Sequence, residues 1–306
     1  MHQRLRKDGL TVATATQTPR GVTLSHQTTF PRHPLTLWHL LSLDAPTIAA
    51  LWTWFIASAN HLHLPAVSIV AMFLAVWMLY AADRLLDARN IDASSTGDLE
   101  ARHYFHNRHR SAFLTGILAA SITLAILLPH LEPQAIHLYL ILGGLLFGYF
   151  ILIHATSSAH RLPKEIAVGL FFAAATFIPT VARRPDLRTA LFPLAVLFAT
   201  ACSLNCLFIY TWEHSSPAPS APPVHPATQL ALHKLPLLTA ALIVLSAAFS
   251  ILDRQTLWSI PCAITASTLL LLLLHHRRHH TARLTLRSLA DLALITPLLL
   301  LPLLPR

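Results

Sequence analysis

The stretch PAVSIVAMFLAVWMLYAADRLLD, residues 65–87, decides the fold class. From Pro65 to Ala82 it carries no charged side chain, and then Asp83, Arg84 and Asp87 follow in quick succession. A bilayer offers no water to unsatisfied backbone groups, so an uncharged run of this length reads as a spanning helix, at about 20 residues per crossing. Working outward, comparable runs lie near 35–58, 65–82, 112–129, 135–154, 165–182, 189–212, 235–252, 256–274 and 288–304. The chain is therefore expected to be all-α, a polytopic membrane helical bundle with nine transmembrane helices over residues 34–306. Residues 1–33 are polar, lack the apolar core of a cleavable signal peptide, and read as a disordered cytoplasmic tail.

Composition agrees. The 306 residues are 54% hydrophobic and 11% charged, with a mean hydropathy of +0.56, whereas soluble domains are about 25% charged. The formal net charge of +9 invites a nucleic-acid reading. The basic residues instead lie between apolar runs and form no continuous patch, so nucleic acid is excluded as a partner. Membrane lipids and a phosphorylated substrate are the expected anionic partners. The three cysteines, Cys202, Cys206 and Cys262, all fall inside apolar runs, which indicates no disulfide framework.

Residues 129–134 and 253–255 are short enough to demand tight hairpins. Two connections are long: 83–111, and the proline-rich 215–228, which reads as an extended loop. Of the 22 Lys and Arg, 17 fall on one set of alternating segments, including both long loops and the N-terminal tail, and 5 on the other. The positive-inside rule then places the N-terminus in the cytoplasm. An odd number of crossings places the C-terminus outside, and a bacterial inner (plasma) membrane is the expected location.

Only 13 acidic residues exist, so their placement is informative. Asp83 and Asp87 are four apart at a helix end and share a face, with Asp92 five residues on. Two such carboxylates suit Mg²⁺, which takes one or two of them plus substrate phosphate oxygens. The plainer alternative is pairing with Arg84 and Arg89. The sixth run ends Asn205-Cys206-Leu-Phe-Ile-Tyr210-Thr-Trp212-Glu213, with Asn205 inside the apolar stretch and Glu213 at the exit. Asn205 could equally bond a neighbouring helix, and Glu213 could be a solvated cap. Arg161 and Lys164 enter the fifth run from the same side as Asp83 and suit a diphosphate, or are ordinary positive-inside residues. Asp44 and Asp291 lie at membrane depth. Arg287, four residues before Asp291, suggests a local pair; Asp44, just before Pro46, could cap a broken helix or face a substrate.

Histidine is abundant, at 20. His103, His106 and His109 repeat by three, and His275, His276, His279 and His280 cluster; metal binding is one reading, against which spacing by three spreads side chains around a helix and the second cluster sits among arginines. No GxSxG, GxxxxGK[ST] or GxGxxG pattern occurs.

The nine runs, with Ala82-Asp83-Arg84-Leu85-Leu86-Asp87 closing the second and Glu213 closing the sixth, resemble the UbiA superfamily of intramembrane prenyltransferases. That family has nine transmembrane helices and aspartate-rich motifs at the cytoplasmic ends of its second and sixth. The segment from Arg161 through Leu162-Pro163 and Gly169 to Pro179 is similar to the basic opening of the family's fifth helix. Leu79 and Tyr80 stand where the family's leading Asn and Asp belong, and Cys206 where the second motif's leading acid belongs, with Asn205 one place earlier.

The resemblance implies Mg²⁺-dependent transfer of a prenyl group from a prenyl diphosphate to an aromatic or other lipophilic acceptor. Asp83, Asp87 and Glu213 would be the catalytic set, with Asp92 a further metal ligand. Arg84, Arg161, Lys164 and Asn205 would bind substrate. Tyr80 and Tyr210, with Tyr149 and Trp212, would present aromatic faces to the allylic cation. The missing motif acids leave a second reading open, a non-catalytic isoprenoid- or lipid-binding protein of the same fold. A transporter, suggested by Asp44, Asn205 and Asp291 at depth, is disfavoured by acids gathered at one membrane face. A CDP-alcohol phosphotransferase would need glycines between its acids, and residues 83–92 have none.

Overall fold

The computed structural model describes residues 34–87, 105–155, 163–214, 225–252 and 258–303. Among these residues every regular element is helical. The expected tail, Asp92 and Arg161 lie outside the described residues, as does the side chain of Asp87. The helices are α1 (Pro34–Leu40), α2 (Asp44–Ala59), α3 (Ala66–Asp87), α4 (Arg110–Leu127), α5 (Pro133–Ala155), α6 (Lys164–Arg183), α7 (Arg188–Glu213), α8 (Pro226–His233), α9 (Leu235–Leu252), α10 (Ser259–Arg277), α11 (Arg283–Leu292) and α12 (Pro297–Leu300).

Seven of these helices are long and apolar enough to cross a membrane: α3, α4, α5, α6, α7, α9 and α10, five of them with short 3-10 or turn extensions or a slightly earlier end. Two of the nine expected runs are not single helices. The run 35–58 is not one helix but two, α1 and α2, bent by 90°. The break falls at residues 41–43, where Ser42 adopts a left-handed φ of 59° that no helix interior accepts. The run 288–304 is also divided: α11 gives way to a 3-10 turn over Ala293–Ile295, and Pro297 starts α12. A helix broken inside a bundle frees backbone carbonyls, which the rest of the protein must satisfy. Trp52 Nε1 donates to the Leu294 carbonyl at 2.8 Å, and Thr296 Oγ1 ties the break to α10 by donating to the Ala263 carbonyl at 2.8 Å. At the other break, Trp77 Nε1 donates to the Leu41 carbonyl at 3.1 Å.

Helix α7 is the central element: 67% of its apolar window is buried, against 6% for α5, which presents its side chains outward. Leu194, Phe198, Leu204 and Phe208 of α7 pack against Trp52 of α2 and Ile260 and Ile264 of α10. The Trp52 and Phe198 rings lie 4.1 Å apart at their centroids. Large exposed apolar side chains such as Leu140 and Phe147 cover the outside of α5. That is the inverse of a soluble surface and suits a lipid solvent. The 129–134 connection is the tight hairpin its length demanded, a 3-10 turn followed by Leu131 and Glu132.

Helices α6 and α7 approach closely at Gly169. A Cβ there would meet Ser203 Oγ and approach both the Ala199 carbonyl oxygen and the Ser203 nitrogen to 2.7 Å. Two of those atoms are backbone and cannot step aside. Gly169→Ala is therefore expected to lower the thermal unfolding temperature of detergent-solubilised protein, and adding Ser203→Ala should not restore it. Full recovery by the second change would mean that only the hydroxyl is in the way.

Candidate functional site

Helix polarity sets the geography. The C-terminal ends of α3 and α7 and the N-terminal ends of α6 and α11 lie at one end of the bundle, where Asp83 approaches Lys164 and Glu213 pairs with Arg287. Two polar systems occupy this part of the protein.

The first is a cavity of about 590 Å³ walled by α3, α5 and α6. Its lining is mostly apolar, but Tyr80, Asp83 and Lys164 belong to it, as do Tyr139, Tyr149 and Phe171. Asp83 Oδ1 and Lys164 Nζ stand 4.0 Å apart and both are substantially exposed, so the pair itself contributes only about 0–1 kcal/mol and leaves both groups free to meet a ligand. The Tyr139 hydroxyl donates to the Ala175 carbonyl at 3.1 Å. The Tyr149 hydroxyl is buried and has no hydrogen-bond partner among the described residues, and its ring centroid lies 6.0 Å from that of Phe171. Glu132 and Arg183, from the opposite ends of α5 and α6, also line the cavity, so it runs along much of the length of these helices.

The second system is a buried charged cluster that lines no part of that cavity. Arg84, 3% exposed, donates from Nη1 to the His39 carbonyl at 2.6 Å and from Nη2 to Asp44 Oδ2 at 3.3 Å. Asp44 Oδ2 also faces His39 Nδ1 at 2.6 Å, and its Oδ1 accepts from the Ala45 amide at 3.0 Å. Asp291 Oδ1 accepts from Asn205 Nδ2 at 3.2 Å. Arg287, expected beside Asp291, instead hydrogen-bonds to Glu213. Asp44 sits at the first turn of α2, as its proximity to Pro46 suggested. There its charge complements the positive helix end.

The structure thus brings Tyr80, Asp83 and Lys164 to one cavity. Glu213 does not line it and is held by Arg287. Arg84 is committed to Asp44 and to the Tyr80 ring, whose centroid is 4.9 Å from its guanidinium carbon. Asn205 holds Asp291. Tyr210 stacks on His214 at 4.1 Å, and Trp212 donates to His275 Nδ1 at 3.1 Å. Of the histidine triplet, His106 is buried against the Ser42 hydroxyl at 3.1 Å, and His109 faces the Phe105 carbonyl. His39 was not singled out in the sequence: it is one histidine among 20. The one available signal was its place in an apolar run, five residues before a membrane-depth acid. The three cysteines are free thiols. No family model, curated protein or solved structure matches the chain.

Arg84 neutralises a buried carboxylate and satisfies a freed carbonyl at once. Arg84→Ala should therefore destabilise the protein by about 3–5 kcal/mol, the cost of an uncompensated buried charge. The double variant Arg84→Met/Asp44→Asn should recover a large part of that loss. Thermal unfolding in detergent compares them, and a double variant no more stable than Arg84→Ala would show that the pair is not coupled.

Proposed function

We propose that this chain binds a prenyl diphosphate, or a lipid built in the same way, with its apolar chain inside the membrane. The observation that carries this reading is the cavity of about 590 Å³ whose apolar walls end at Asp83 and Lys164. A long hydrocarbon needs such walls, and its anionic head needs a cation at one end. Lys164 supplies a point charge for phosphate oxygens. Among the described residues that line that end of the cavity Asp83 is the one carboxylate, which suits Mg²⁺, commonly held by one or two carboxylates and completed by substrate phosphates. Asp83 would hold the ion there, with Asp87 and Asp92 as further candidate ligands and Arg161 as a further cation for the phosphate oxygens. Bound Mg²⁺ would supply charge neutralisation for the diphosphate.

Prenyl transfer is the activity that the resemblance to intramembrane prenyltransferases attaches to such a site. The acceptor's electron pair would attack the allylic carbon, the carbon–oxygen bond would break with its electrons leaving on diphosphate, and the acceptor would lose a proton. Lys164 would stabilise the departing charge, and the Tyr80 and Tyr149 rings would face the allylic cation. One observation favours the non-catalytic reading instead: Glu213 is engaged by Arg287 away from the cavity, so the acid closing the sixth run does not join Asp83. In either reading the bent α1–α2 pair and the divided C-terminal run count as crossings. That gives nine, with the N-terminus cytoplasmic and the C-terminus outside, in a bacterial inner membrane.

Purified protein in nanodiscs, titrated with non-hydrolysable prenyl thiolodiphosphates of increasing chain length, should show saturable binding that EDTA abolishes. Asp83→Asn and Lys164→Ala should each weaken it by at least about tenfold, the value of a charged contact of roughly 1.5–3 kcal/mol. No saturable binding at any chain length would sink the proposal. Release of diphosphate on adding aromatic acceptors to hydrolysable substrates would then establish transfer, and its absence across acceptors would establish the binding role.

A further inference from the structure

The cavity along α3, α5 and α6 is charged at both ends and nowhere between. Among the described residues that line it, the charged ones are Asp83 and Lys164 at one end and Glu132 and Arg183 at the other. Glu132 and Arg183 form no ion pair among the described residues, and Arg183 Nη1 donates to the His63 carbonyl at 3.4 Å in an exposed position. Hydrocarbon gains from wall contacts only where the walls are apolar. Among charged groups it would displace their solvation and return nothing. The far end is therefore a limit for an apolar chain anchored at Asp83 and Lys164.

The distance to that limit follows from α6. Lys164 and Arg183 are the first and last of its 20 residues, which sets them about 28 Å apart along the axis. An extended chain advances about 1.2 Å per main-chain bond, so an isoprene unit of four such bonds adds about 5 Å.

Gly143 of α5 lies part of the way along. A glycine inside a helix is a destabilising choice. At Gly169 close helix packing demands one, but a Cβ at Gly143 would meet nothing within 4 Å. Gly143 nevertheless lines the cavity, so the space beside it is space left to a ligand. On α5 it stands between Tyr139, whose hydroxyl reaches the Ala175 carbonyl, and Tyr149, whose ring lies beside Phe171. Its level on α6 thus falls between Phe171 and Ala175, about 10–17 Å beyond Lys164.

We propose that the cavity is a length gauge: it holds one prenyl chain lengthwise from Asp83 and Lys164, accommodates up to about six isoprene units, and is kept open past its first half by Gly143. This rests on the reading of the cavity as a prenyl diphosphate site and adds the chain class that the site selects.

The test uses the full-length protein in nanodiscs with Mg²⁺ and prenyl thiolodiphosphates of increasing length, each affinity referred to the ligand's mole fraction in the lipid. That reference removes the general preference of longer chains for the bilayer. Wild-type affinity should rise with each unit to about six units and then stay level. Gly143→Phe should match wild type to about three units and bind longer chains about tenfold or more weakly, the effect of forcing bulk into filled space. Gly144→Phe should match wild type at every length, because Gly144 is equally unpacked but does not line the cavity. Leucine is a far better helix former than glycine, so Gly143→Leu carries the test if the Phe variant fails to accumulate, with the same break and a smaller loss. Wild-type affinity that is independent of length, or still rising well beyond six units, would overturn the gauge. So would Gly143→Phe matching wild type throughout or losing equally at all lengths, or a length-dependent loss in Gly144→Phe; in each of these cases the diphosphate site itself would stand. No binding at any length would overturn that reading and the gauge with it.

Discussion

The break between α1 and α2, held by Arg84 and Asp44, is the constraint on which the rest of the arrangement depends. A helix broken inside a bundle presents a negative carbonyl end and a positive amide end to surroundings that solvate neither. Arg84 from α3 meets the first end by bonding the His39 carbonyl, and Asp44 occupies the second as part of the opening turn of α2. Each charge complements the helix end it touches, and the two charges complement each other. One interaction therefore bends the first span, fixes α3 against it, and delivers His39 to the bundle interior. It also explains why Arg84 is absent from the cavity that its neighbour Asp83 helps to line.

Around that fixed point the bundle is organised by what each helix must bury. Helix α7 carries bulky apolar residues on most of its circumference and becomes the centre, with α2, α6, α10 and α11 packed round it. Helices α4 and α5 bury little and turn leucines, isoleucines and phenylalanines outward. In water that would be an aggregation surface; among acyl chains it costs nothing. The close α6–α7 approach at Gly169 follows the same logic, since without a hydrophobic drive between helices, contact comes from small residues that let backbones meet.

The spanning helices were legible because apolar length is a one-dimensional signal. The breaks were less so. Nothing polar interrupts Leu40 and Leu41, and only Asp44 and Pro46 hinted at an interruption. In the C-terminal run, Pro297 and Pro302 marked positions that a continuous helix would resist. The candidate site divides in the same way. Asp83 and Lys164 were readable as neighbours because alternating helices return to one face. Glu213 was readable as lying at that face, but its partner was not, because Arg287 is 74 residues away in sequence and had a nearer acid in Asp291. Asp44, Asn205 and Asp291 each stood out as polar residues at depth. That Asp44 and Asp291 both face His39, with Asn205 on Asp291, is a tertiary fact carried by no spacing.

The two polar systems come closest at Tyr80, whose ring lines the cavity while Arg84 lies against it. Their electrostatics differ in kind. Within the cluster, charges are shielded from water, and each missing partner is costly. At the cavity's end, Asp83 and Lys164 are exposed, and their attraction is diluted by solvent. Charge alone therefore cannot supply tight binding at the cavity. The walls would have to supply it: a chain arriving from water would gain about 0.8 kcal/mol for each methylene removed from it, one arriving from the bilayer only the close packing of the walls, while the charged end would set which way the chain lies. The apolar length of a ligand would then govern its affinity and its head group the orientation. That division follows from placing the exposed ion pair at one end of the cavity and keeping the buried one behind Tyr80.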